Sequence, residues 1–477
     1  MELTNLELSG KTRKEKDLLG EREIPIEHYF GIQTQRALEN FSISRTKLYH
    51  YPQFIIALAD VKEGAAMANR DLKLMDADIA DAIIEACHEI KEGKLHQHFV
   101  VDMIQGGAGT STNMNINEVV ANRALEILGY EKGDYKHCHP NNHVNLSQST
   151  NDAYPSAMKI ALYRHIGDLM KSLEKLVDAF REKGKEFSHV IKMGRTQLQD
   201  AVPMTLGQEF EAFAYTLNEE VQRIKQNREL FLEINMGATA IGTGINSDPD
   251  YTPLVTRHLA EITQIPLREA QNMIEATSDT GVFVMNSSTV KRLAIKLSKI
   301  SNDLRLLSSG PRTGLNEINL PPMQPGSSIM PGKVNPVIPE VVNQIAYRVV
   351  GNDLTITMAS EAGQLQLNVM EPIIAFSLLE SIDILINGMD TLREKCIVGI
   401  TANEERCKEM VMNSIGLVTA LNPYLGYENS SKIAKEAMFT GKKIYDIIID
   451  QGLMDKELLD EVLKPENMIK PRKINLN

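Results

Sequence analysis

Apolar residues spaced alternately four and three apart dominate the middle of this chain. Leu162, Ile166, Leu169, Leu173, Leu176 and Phe180 keep that rhythm, as do Leu293, Leu297, Ile300, Leu304 and Leu307. Leu378, Ile382, Leu385, Met389 and Leu392 repeat it, and a looser run joins Phe210, Phe213, Leu217, Val221, Ile224 and Phe231. Such a repeat lines every apolar side chain along one stripe of a helix, whereas a strand needs strict alternation. The runs predict long helices packed at shallow angles in a bundle. A fifth long helix is expected over 337–368, starting near Pro336 or Pro339, and Pro372 is expected to interrupt or kink the next one. A helix of about 30 residues runs about 45 Å. Helices that long expose more than one stripe, so a homo-oligomer is expected.

Before residue 150 the helical segments are shorter and the loops richer in Gly and Asn. Past residue 405 the chain changes again, with Pro423, Gly426, Gly441 and Gly452 as punctuation. The expected class is mainly all-α. The expected division is a mostly helical domain over 1–150, a long-helix bundle over 151–405 and a small α-rich domain over 406–477.

Composition narrows the function. A net charge of −12 argues against nucleic acid and anionic membrane as partners. Apolar runs stop short of 18 residues, so no membrane span is expected. The stretch Met1–Glu21 is polar and lacks an apolar signal core. Cys87, Cys138, Cys396 and Cys407 form no C-x-x-C pair and are expected to be free thiols, which places the protein in the cytoplasm.

Between two of the helical runs, residues 310–336 hold four Gly and six Pro. No helix or strand interior tolerates that density. Leu315, Ile318, Leu320, Ile329 and Met330 argue against disorder, so the stretch reads as an ordered functional loop. Its end, Gly326-Ser327-Ser328-Ile329-Met330-Pro331-Gly332-Lys333-Val334-Asn335-Pro336, gathers two hydroxyls, a cation and an amide. It is not a phosphate-binding P-loop: five residues separate its glycines, and Val334 stands where a metal-binding hydroxyl would be needed.

Three more segments break the apolar pattern with uncharged polar groups. Gly106–Asn115 is glycine-rich and could be a turn capping a helix that begins near Asn117. Ser147–Asp152 precedes a long helix from about Ala153; capping needs one side chain, and six polar residues exceed that. Backbone N–H groups at such a helix start can also hold an anion. Met193–Asp200 reads as a polar connection between two helices. His137, Cys138, His139 and His143 have spacing that could suit zinc, but Pro140, Asn141 and Asn142 interrupt them and no fourth ligand pattern follows.

The loop and the three polar clusters together resemble the aspartase/fumarase superfamily, whose G-S-S-x-x-P-x-K-x-N signature matches at Gly326, Ser327, Ser328, Pro331, Lys333 and Asn335. The resemblance runs from Asp17-Leu18-Leu19-Gly20-Glu21 to about residue 460. It implies a three-domain fold and a homotetramer in which five long helices per subunit form a 20-helix bundle. Thr150 and Gln197 stand where fumarases typically carry Ser and His, so the match is nearer the ammonia-lyase branch. The implied reaction is L-aspartate to fumarate and ammonia, reversibly; the alternative is fumarate hydratase. The departure at Gln197 leaves no histidine-dependent role at that position.

That reaction removes a proton beside the side-chain carboxylate, and the carbanion must spread into the carboxylate as an enediolate. Hydroxyl and N–H donors aimed at its oxygens are the largest available rate term, about 3–4 kcal/mol each when well placed. By resemblance, Thr110, Ser149, Thr150 and Ser328 hold the carboxylate that becomes the enediolate. Thr196, Lys333 and Asn335 hold the other carboxylate, Asn151 and Gln197 face the amino group, and Ser327 is the general base. No metal or other cofactor enters the chemistry, although a divalent ion such as Mg²⁺ is a possible activator. Shared sites between subunits are expected, because the clusters near residues 150 and 196 flank one long helix.

Overall fold

A computed structural model describes residues 7–471. The chain opens with an antiparallel hairpin, β1 (Thr12–Asp17) against β2 (Gly20–Pro25), with Asp17 opposite Gly20. These strands carry no sequence signal, because TRKEKD and GEREIP are too charged to show apolar alternation. Four helices follow, α1 (Ile32–Asn40), α2 (Pro52–Asp71), α3 (Ala77–Lys91) and α4 (Thr110–Ile127). Helix α4 starts well before the expected position near Asn117, and its Ser/Thr run is not a cap. Gly109 is the N-cap, and Thr110–Asn115 form the first turns.

The heptad runs all lie in helices. Helix α5 (Thr150–Glu186) carries the first, and α6 (Leu206–Arg228), with the short turn Glu229–Leu232, carries the looser one. After α7 (Tyr251–Thr263) and α8 (Met273–Ser278) comes α9 (Gly281–Leu307) with the second run. Helix α10 (Val337–Glu361) is the fifth long helix, and α11 (Glu371–Lys395) carries the last run. Every residue of the four runs is buried, each side chain contributing about 1.5–3 kcal/mol by leaving water. Pro372 neither interrupts nor kinks α11. It lies in the first turn, where the missing N–H has no helical partner to lose. The stretch Glu371–Gly399 holds an 18-residue window apolar enough for a membrane span, yet 67% of that window is buried inside the fold, as in a core helix.

Between α5 and α6 the chain forms a second hairpin, β3 (Ile191–Thr196) and β4 (Gln199–Thr205), where the sequence suggested a plain connection. Its Met193 is fully buried in a core with Val411, Leu417, Leu421, Ile433 and Ile447 from the C-terminal helices. Two short strands, Ile318–Asn319 and Thr401–Ala402, also pair.

The chain divides into two compact units. One takes the chain up to Met170, Gln222–Arg292 and Tyr347–Leu385; the other takes Lys171–Val221, Leu293–Ala346 and the chain from Ile386 onward. Helices α5, α6, α9, α10 and α11 contribute residues to both.

Candidate active site

In the first unit, α4 and the start of α5 carry the polar groups. Gly109 has φ of 91°, and a Cβ there would meet the Tyr154 ring at 2.5 Å, so only glycine lets α4 begin this close to α5. Thr110 is exposed and donates its hydroxyl to Gly107 O at 2.8 Å. Asn113, Asn115 and Asn117 are buried on α4. At the start of α5, Asp152 accepts from the backbone N–H of Ser149 (2.9 Å), Gly237 (3.2 Å) and Thr239 (2.9 Å). Burial pushes its carboxyl up to about 6, against those N–H groups and the Lys62 ammonium. Ser149 Oγ accepts from Asn151 N at 3.3 Å, and Asn151 Nδ2 donates to Ala240 O at 2.8 Å. Thr150 Oγ1 accepts from Asn113 Nδ2 at 3.1 Å. Ser149 lines a cavity of ≈ 510 Å³ with Asn142, Asn145, Gln148, Thr239 and Asn246.

Beneath this cluster is Lys62, which the sequence reading missed. It is fully buried in the middle of α2. Its ammonium donates to Asn113 Oδ1 (2.7 Å), Gln148 Oε1 (2.8 Å) and Asn145 Oδ1 (3.1 Å). Burial pushes it down to about 7, opposed by Asp152 and Cys87. The available signal was a charged cluster, Asp60, Lys62 and Glu63, inside the largely apolar run Phe54–Ala68.

In the second unit, Thr196 and Gln197 are exposed at the tip of the β3–β4 hairpin. Gln197 and Leu198 both adopt left-handed backbone angles, φ 55° and 61°, which suits a two-residue turn matched to strand twist. The neighbouring Arg195 donates to Glu317 at 2.7 Å, and Lys192 lies 2.8 Å from the other oxygen of that carboxylate. Glu317 is fully buried and lies in the Gly/Pro stretch, ahead of its Ser327 end. The sequence offered no signal for it.

The loop closes on itself. Gly326 N donates to Lys333 O at 2.7 Å, and Asn335 Nδ2 donates to Gly326 O at 2.7 Å. A Cβ on Gly326 would meet Lys333 O at 2.2 Å, so this closure requires glycine. Ser327 Oγ accepts from the backbone N–H of Ile329 (3.2 Å) and Met330 (3.0 Å). Ser327 and Asn335 are half-buried, whereas Ser328 and Lys333 are exposed.

The structure therefore brings the ten candidate residues into separate groups. Ser149, Thr150 and Asn151 share the start of α5, and Thr110 opens α4, whose Asn113 donates to Thr150. Thr196 and Gln197 share a turn. Ser327, Ser328, Lys333 and Asn335 share one closed loop. The histidine cluster has local partners: His139 Nδ1 accepts from Asn141 and Asn142 N–H, His143 Nδ1 accepts from His139 N, and His137 stacks on Tyr130. Among the described residues no group of three or more His, Cys, Asp or Glu side chains is placed to hold a metal ion.

Comparison with known proteins assigns the class. Residues 20–351 match the family described as Lyase, and residues 417–470 match the segment described as Fumarase C C-terminus. The chain belongs to this lyase family, the aspartase/fumarase superfamily that its motifs resemble. It is 60% identical to aspartate ammonia-lyase from Pseudomonas canavaninivorans, over 97% of this chain and 98% of that one. A structure of fumarate lyase:delta crystallin from Brucella melitensis bound to cobalt is 54% identical, with a TM-score of 0.95 over 97% of this chain and 100% of that one. Class II fumarase from Schistosoma mansoni superposes nearly as well, with a TM-score of 0.92 over 97% and 100% of the two chains, but at 36% identity.

Proposed function

We infer that this protein catalyses the reversible deamination of L-aspartate to fumarate and ammonia. The observation that carries the reading is the 60% identity, over nearly the whole of both chains, to an aspartate ammonia-lyase. The fumarase that shares the fold stands at 36%. Fumarate hydration is not favoured.

The proposed chemistry assigns the base to Ser327. Its support is the pair of backbone N–H groups, from Ile329 and Met330, that Ser327 Oγ accepts. Donors on a hydroxyl oxygen favour its alkoxide and so make a serine basic enough to take a proton from carbon. Thr110, Ser149, Thr150 and Ser328 bind the carboxylate that becomes the enediolate. Thr196, Lys333 and Asn335 bind the other carboxylate. Asn151 and Gln197 take the ammonium. Ammonia leaves neutral and needs no acid, and an amide can accept from an ammonium where a protonated imidazole cannot.

The subunit arrangement belongs to the same proposal: a homotetramer with sites shared between subunits, built on a 20-helix bundle. Tyr347, Val350, Leu354 and Met358 support it, forming an exposed apolar stripe at helical spacing on α10. The single-chain division into 1–150, 151–405 and 406–477 is retained with it, and limited proteolysis near residues 150 and 405 tests it. We place the protein in the cytoplasm; four buried free cysteines support a reduced compartment. A divalent ion such as Mg²⁺ acts as an activator outside the elimination step, so turnover should persist, lowered, in EDTA.

The direct test follows fumarate's ultraviolet absorbance with aspartate, malate and argininosuccinate in turn. Fumarate should form from aspartate alone. Formation from malate at a comparable rate would transfer the protein to the hydratases.

A further inference from the structure

We propose that Lys62 is a positioning residue that fixes Thr150 as a hydrogen-bond donor to the enediolate, acting through Asn113. The proposal rests on the deamination reading and adds a residue that touches no substrate.

Donor and acceptor polarity fixes the arrangement. An ammonium has three donors and no acceptor. All three donors of Lys62 meet side-chain amide oxygens: Asn113 Oδ1 at 2.7 Å, Gln148 Oε1 at 2.8 Å and Asn145 Oδ1 at 3.1 Å. The oxygen and nitrogen of an isolated Asn could exchange places, but here only the oxygen can face Lys62. Asn113 must therefore turn its NH₂ the other way, toward Thr150 Oγ1 and Asn145 Oδ1, both at 3.1 Å. Thr150 is then the acceptor of that bond, and its single proton is left to point outward. A hydroxyl held this way can donate to an oxygen that gains charge during proton abstraction. If Asn113 were reversed, Thr150 would have to donate inward and would present lone pairs to an anion.

The charge itself adds to this. Lys62 has no carboxylate among its three hydrogen-bond partners. Burial pushes its ammonium down to about 7, and Asp152 at the start of α5 and Cys87 on α3 oppose that. A cation held by neutral dipoles keeps much of its field, and in a buried site that field favours the enediolate over the ground state.

The test uses Asn113→Asp in the full-length enzyme. The carboxylate is isosteric and pairs with Lys62, so the fold should hold, with a moderately lowered thermal midpoint because its second oxygen now faces Asn145 Oδ1. It can only accept, so Thr150 must donate inward. Turnover should fall by roughly 10²-fold. Succinate, a ground-state dicarboxylate, should bind with little change. The nitronate analogue of aspartate, which carries the enediolate's charge, should lose affinity by a similar roughly 10²-fold. Lys62→Met tests the same link with the cation removed. Adding it to Thr150→Val should cost little beyond the single change, because both break one chain of contacts.

Folded Asn113→Asp with near-parental turnover would overturn the proposal, and so would equal losses for succinate and nitronate. If the parent enzyme makes no fumarate from aspartate, the deamination reading itself fails, and that result is read before either variant is made.

Discussion

Arg195 donates to Glu317 across 2.7 Å inside the second unit, and Glu317 has no exposed surface. This contact joins the turn that carries Thr196 and Gln197 to the chain entering the Ser327 loop. Lys192 adds a second cation on the same carboxylate at 2.8 Å and also pairs with Glu209. The turn that carries Thr196 and Gln197 is thus tied through one buried anion to the chain that leads to the Ser327 loop.

Glu317→Ala should therefore destabilise the protein by about 3–5 kcal/mol, the usual cost of removing one partner from a buried ion pair. Chemical denaturation measures it. Glu317→Gln, which still accepts, should cost less. An unchanged midpoint for the alanine variant would mean that Arg195 and Lys192 find water instead.

Ser327→Ala should lower turnover by at least roughly 10²-fold, as expected for loss of a general base. The hydroxyl is half-buried on a largely exposed loop, so the thermal midpoint should barely move. Near-parental turnover would remove Ser327 from that role.

Lys333→Ala should act mainly on KM. A lost charge-assisted bond to carboxylate costs about 1.5–3 kcal/mol, and Lys333 is exposed with no core contacts to lose. A fall in kcat at constant KM would instead assign Lys333 to activation of Ser327.

Glu371 makes a pH-dependent contribution. It is buried in the first turn of α11, and burial pushes its carboxyl from 4.5 up to about 8, with Lys159 opposing. The folded protein thus keeps this proton at pH values where the unfolded chain has released it, so stability falls as pH rises between those two values. Glu371→Gln carries no such proton. Its thermal midpoint relative to the parent should climb from about pH 5 to about pH 9. A constant difference across that range would show that Glu371 is ionised in the fold throughout.

Shared sites predict complementation. The clusters near residues 150 and 196 flank the 37-residue helix α5 in sequence. Ser327→Ala and Thr196→Ala, each inactive, should regain activity when mixed, denatured and refolded, because some sites receive both intact residues. Full tetramer recovery without activity would sink the shared-site arrangement.

Periodicity by itself determined the helical framework of this protein. The heptad residues of α5, α9 and α11 had to be buried on one stripe wherever their partners lay, because spacing along a helix is fixed by local geometry. Motif spelling likewise marked the loop at 326–335 and the polar clusters at 106–115 and 147–152, although it placed the start of α4 too late. Tertiary structure decided what spacing does not encode. The β3–β4 hairpin exists because Met193 finds a core among helices more than 200 residues later in the chain, and MGRTQLQD shows no apolar alternation to announce it. Lys62 and Glu317 gained their places in the same way. A buried charge is tolerated only where distant chain supplies its partners, Asn113, Asn145 and Gln148 for one and Arg195 and Lys192 for the other. Those partners are brought together by folding, so no local pattern could name them.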